Sequence, residues 1–129
     1  MERQIKETIP LSTVSNIERR RHPRFPVMLL AECQRVSHAR MLAGRVLDIS
    51  ESGLMLHLSE RVEVGQDLHL KMFIGSDISK FIEAAVRAVW RQFIRGSGYH
   101  IGGKFIDIPS DEKIKFDFLL RHLMKSKSN

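Results

Sequence analysis

One cysteine, one tryptophan, one tyrosine and four prolines in 129 residues already exclude several kinds of protein. Cys33 on its own builds neither a disulfide framework nor a thiolate metal cluster, and it fits a reducing compartment. No stretch approaches the ~20 apolar residues that a membrane span requires. The opening MERQIKETIPLSTVSN scatters charge among isolated apolar positions and holds no signal-like apolar run. A cytoplasmic protein without membrane insertion is the expectation. The six histidines (22, 38, 57, 69, 100 and 122) show no paired spacing on a helix face and no neighbouring cysteine, which argues against zinc. Ser50 has no His–Asp companion at a motif spacing, so nothing marks an enzyme.

What is present is ordinary in amount but uneven in placement. Hydrophobic content of 43% and charged content of 28% suit one soluble domain. A net charge of +6 favours anionic partners without choosing among them. Residues 1–17 offer little to a core and read as a flexible arm. Residues 18–125 read as the domain, with a barrel over 26–108 and a helix over 111–125, and 126–129 as a tail. Pro23 and Pro26 bracket Arg24 and Phe25, forbid a continuing helix and bias the chain towards extended backbone.

From Val27 the hydrophobic period is two. Val27–Cys33, Leu42–Ile49, Leu54–Leu58, Leu68–Ile74, Ile82–Trp90 and Tyr99–Phe105 are six strand candidates. Turn residues separate several of them, as at Gly75-Ser76-Asp77 and Gly96-Ser97-Gly98. No helix-length spacer intervenes, so the sheet is expected to be antiparallel, and closing it into a small barrel removes its edges. The period changes once, after Pro109. There Ser110 reads as a cap, with Asp111 and Glu112 in the first turn and Arg121, His122 and Lys125 near the carboxyl end. The apolar residues from Ile114 to Met124 are too many for a narrow stripe. The surplus would serve a partner protein or a homodimer.

Two groups of residues carry chemistry. Arg19, Arg20, Arg21 and Arg24 place four forked, permanent cations in six residues, suited to phosphate and to guanine edges. Taken alone, such a run also describes a solvated domain edge. Asp48-Ile49-Ser50-Glu51-Ser52-Gly53 stands between two strands. With Ile49 as apolar anchor, Asp48 and Ser50 would share the opposite face, and Gly53 would allow a positive φ or a close backbone approach. Taken alone, this is also a hairpin-closing Asx or Ser turn.

Together, Arg20-x-x-x-Arg24 followed by Asp48-x-Ser50-x-x-Gly53 resembles the paired signature of the PilZ domain family. Phe25-Pro26-Val27, Leu54-Met55-Leu56, Ala88-Val89-Trp90 and Ile101-Gly102-Gly103-Lys104-Phe105 agree with it, so that the resemblance covers roughly residues 18–124. It implies a PilZ-like barrel that binds cyclic di-GMP. Residues matching Arg20 and Arg24 would grip phosphates and guanine edges, those matching Asp48 and Ser50 would hold a guanine, and Gly53 would make room. A basic residue at the position of Arg19 accompanies a stacked ligand pair in that family. The implied protein is a receptor without cofactor that signals to a downstream protein in motility, biofilm or exopolysaccharide control. The rivals are a small basic barrel for nucleic acid, disfavoured by the lack of strand-face aromatics, and a nucleotide-independent interaction domain, disfavoured by intact motifs.

Overall fold

The computed structural model describes residues 23–75 and 77–128. Six strands follow in chain order: β1 (Phe25–Arg35), β2 (Met41–Ile49), β3 (Gly53–Leu58), β4 (Asp67–Phe73), β5 (Phe81–Ile94) and β6 (Gly98–Asp107). One helix, α1 (Ser110–Ser128), ends the described chain. Every strand pair is antiparallel, and β1 pairs with both β2 and β4, so the sheet closes in the order β1-β2-β3-β6-β5-β4. The six strands and the antiparallel closure expected from the two-residue period are all present.

The same period explains the core. Cys33, Val46, Leu54, Leu56, Leu58, Leu68, Leu70, Met72, Ile82, Val86 and Ile101 all point inward and are fully buried. Each large one contributes about 1.5–3 kcal/mol by leaving water. Phe116 of α1 is buried with them and meets Phe105 of β6 edge to face, ring centroids 5.1 Å apart. The helix is also tied to the start of β5. Glu112 accepts from the Glu83 amide at 2.8 Å, and the Lys115 ammonium donates to the Phe81 carbonyl at 2.8 Å.

Two expectations about the helix need correction. The Pro109 carbonyl takes the first helical bond, from the Lys113 amide at 2.8 Å, so Pro109 holds the cap position and Ser110 lies in the first turn. The helix also runs on through Ser128, so residues 126–128 are helical rather than tail. Lys125-Ser126-Lys127-Ser128 contains neither glycine nor proline to stop it, and the Lys125 cation suits the carboxyl end. Strand β5 also outruns its expected end at Trp90, because the β5–β6 hairpin turns only at Gly96 (φ +79°) and Gly98 (φ +134°).

Burial has a chemical consequence at Cys33. Loss of water pushes its thiol from an ordinary 9.0 up to about 12, with Arg35 pulling weakly the other way. Above pH 9.0 the unfolded chain releases a proton that the folded protein keeps, so stability falls as pH rises from there towards 12. At about pH 8 a thiol reagent such as Ellman's is expected to leave the native protein unlabelled and to label it stoichiometrically in denaturant. Rapid labelling of native protein would contradict this burial.

Candidate ligand-binding corner

Strict alternation from Leu42, Gly44 and Val46 would turn Asp48 into the core. A bulge between Val46 and Asp48 in the β2–β3 pairing prevents it, so that Val46 and Ile49 are both fully buried and Asp48 faces outward. A second bulge, between Pro26 and Leu29 in the β1–β2 pairing, bends β1 beside the same place, where Pro26 pairs with Asp48 and Phe25 with Ile49. The chain leading into the barrel therefore arrives at the end of β2.

Arg24 and Asp48 meet there, Nε to Oδ1 at 3.5 Å, with about a quarter of each side chain exposed. That distance gives charge compensation but is long for a hydrogen bond. Asp48 Oδ1 is buried and has no hydrogen-bond donor among the described residues. A buried acceptor left in this way costs about 1–3 kcal/mol.

Ser50 does something else. It is buried rather than displayed beside Asp48, which corrects the expectation that the two share an open face. Its amide donates to the Gly53 carbonyl at 2.8 Å, and its Oγ accepts from the amides of Ser52 (3.3 Å) and Gly53 (3.2 Å). Its hydroxyl also lies 3.3 Å from the Gly53 carbonyl. Ser50 thus builds the turn that follows Asp48, and the Ser52 carbonyl ties that turn to the Phe105 amide of β6 at 2.9 Å. Gly53 has no positive φ. A Cβ there would run into the Gly103 carbonyl of β6, so its need is the close backbone approach.

Beside the corner, register partners form one row across the outer surface: Asp48, Met55, Gly102 and Trp90. The Trp90 indole lies directly over Gly102, where any Cβ would collide with it. Lys104, exposed, is the partner of Gly53. Met55, Gly102 and Lys104 are neighbours of the corner that local sequence did not single out, since only strand register reveals them. Arg87 is occupied by a two-pronged pair with Asp67 at 2.7 and 3.1 Å, and Arg91 lies 3.4 Å from Glu63. Arg19, Arg20 and the arm 1–17 lie outside the described residues.

The geometry is thus an outer corner of a closed barrel at which a guanidinium meets a carboxylate oxygen with no donor among the described residues. The PilZ domain profile matches residues 18–122, and the chain belongs to the PilZ domain family, a family of ligand-binding and adaptor domains. Solved structures share its fold at low identity. The Bacillus subtilis inhibitor of motility MotI/DgrA is 16% identical with a TM-score of 0.68, covering 86% of this chain and 52% of that one. This chain thus spans about half the length of that protein. The PilZ domain of YcgR from Escherichia coli, solved with c-di-GMP, is 12% identical with a TM-score of 0.63, covering 84% and 94%. The PilZ domain of CeSA from a cellulose-synthesizing bacterium is 18% identical with a TM-score of 0.56, covering 78% and 99%. No curated protein sequence matches the chain significantly. No helix among the described residues is long and apolar enough to cross a membrane.

Proposed function

We propose that this chain is a non-enzymatic, cytoplasmic receptor for cyclic di-GMP that passes the signal to a downstream protein in motility control. The observation that carries the reading is the Asp48 carboxylate, outward at a bulge, beside Arg24 and with one oxygen that meets no donor among the described residues. Guanine carries adjacent N1–H and N2–H donors that suit such an oxygen, and adenine does not. The Arg24 guanidinium has the forked donors that suit a phosphate or a guanine edge. Arg20 and Arg19 precede it by four and five residues, and a chain that spans at most about 3.3–3.6 Å per residue limits how far either can lie from Arg24. Ser50 and Gly53 act by holding the turn that fixes Asp48. Arm and arginines would close over the bound ligand and alter the surface offered to the partner, an ordering switch driven by differential affinity.

MotI/DgrA is an inhibitor of motility and the YcgR domain was solved with c-di-GMP, which supports the ligand class and an output in motility control. The test is calorimetric titration of the full chain with cyclic di-GMP, cyclic di-AMP and a single-stranded oligonucleotide in parallel. Saturable binding of the first alone is expected. Equal binding of both dinucleotides, or binding only of the oligonucleotide with a steep salt dependence, would replace this reading.

A further inference from the structure

A second concave surface lies on the other half of α1, away from the Arg24 corner. Ile74, Ser79, Lys80 and Phe81, from the β4–β5 connection and the start of β5, face Ile114, Lys115 and Phe118 of the helix across a cleft of about 530 Å³. The helix packs its opposite side, through Phe116 and Leu119, into the core. Ile114 and Phe118, one turn apart, are left 72% and 71% exposed, although their bulk would ordinarily be covered. The sheet-side wall is built and braced. The Ile74 amide donates to the Lys80 carbonyl (2.9 Å), the Lys80 amide to the Asp77 carbonyl (2.9 Å), and Ser79 donates twice to the Asp77 carboxylate (2.9 and 2.7 Å).

The rim is cationic. The ammonium groups of Lys71 and Lys115 lie 4.5 and 5.5 Å from the centre of the Phe81 ring. Lys115 is also paired with Glu112 at 3.1 Å. Lys71 and Lys80 have no carboxylate partner among the described residues. Of the nearby acids, Glu112 is engaged by Lys115 and the Glu83 amide and Asp77 by Ser79, while Glu83 stands opposite Lys71 in the β4–β5 register with its carboxylate 3.9 Å from His69.

We infer that this cleft is a docking surface for an acidic, amphipathic segment of another protein. Such a segment would seat a large apolar side chain against Phe81, Ile114 and Phe118 and set its carboxylates on Lys71 and Lys80. Charge decides between occupants. A two-fold dimer through this face would bring each cationic rim against its own copy, which repels. A lipid surface is flat and would meet only the exposed Ile114 and Phe118, whereas a peptide side chain can also enter the cleft between them and Phe81. The inference concerns a different face from the proposed nucleotide corner and stands whatever the corner binds.

The test is a randomised peptide library panned on the full chain, followed by fluorescence anisotropy of the enriched peptides. Sequences rich in Asp and Glu around Leu, Phe or Trp are expected, with binding weakened by added salt. Phe118→Ser removes an exposed side chain and leaves the core intact, and it is expected to weaken binding about tenfold or more. Lys80→Glu should weaken it severalfold, and Phe93→Ser, on the β5–β6 hairpin, should leave it unchanged. Enrichment without acidic character, or equal binding to Phe118→Ser, would overturn the inference. So would an absence of binding peptides combined with either Phe118-dependent self-association or Phe118-dependent sedimentation with phosphatidylserine vesicles.

Discussion

Gly53→Ala is expected to unfold the barrel at a markedly lower temperature in the absence of any ligand. The added methyl would overlap the Gly103 carbonyl oxygen. That oxygen cannot withdraw, because Gly103 is held between β3 and β5, paired with Leu54 and Ala88. The strands must therefore separate where the Ser50–Gly53 turn is tied to β6 through Ser52 and Phe105. Backbone overpacking of this kind costs roughly 1–3 kcal/mol or more. In a domain of this size that is a fall in Tm on the order of 10 °C. Thermal denaturation of the ligand-free variant checks it. If Gly53 only made room for a ligand, the ligand-free protein would melt as wild type while nucleotide affinity fell, and that pattern would return the residue to the binding surface.

The strands were legible because inward and outward residues obey a two-residue period, and Leu54-x-Leu56-x-Leu58 and Leu68-x-Leu70-x-Met72 keep it without interruption. The bulge that turns Asp48 outward leaves no comparable mark, since Leu47 is an unremarkable strand residue and the shift exists only relative to β3. The serine was ambiguous for a different reason. A hydroxyl that closes a turn and one that meets a ligand have the same sequence, and only the fold shows the two amides converging on Ser50 Oγ. Trp90 and Gly102 are twelve residues apart and meet solely through the β5–β6 register. The surplus apolar width of the helix was visible, but the cationic wall opposite Ile114 and Phe118 comes from β4 and β5 and could not be assigned to it from spacing.

The Arg24–Asp48 contact separates the two parts of nucleotide recognition, because the two side chains would read different features of the same ligand. Asp48→Ala is expected to lower cyclic di-GMP affinity by about 2 kcal/mol or more, roughly thirtyfold, by removing the acceptor for guanine N–H groups. It should also narrow the preference over cyclic di-AMP, with little change in salt dependence. Arg24→Ala should lose affinity to a similar extent and flatten the salt dependence, since it removes a charge that would face phosphate. It also leaves Asp48 uncompensated, so part of its cost should appear as reduced stability of the free protein. The double variant should lose less than the sum of the two, because a pair 3.5 Å apart is energetically coupled. Calorimetry of the four proteins at two salt concentrations measures all of these terms. A double variant that binds no worse than Arg24→Ala alone, or a selectivity change that follows Arg24 rather than Asp48, would show that the carboxylate merely anchors the arginine and does not read the base.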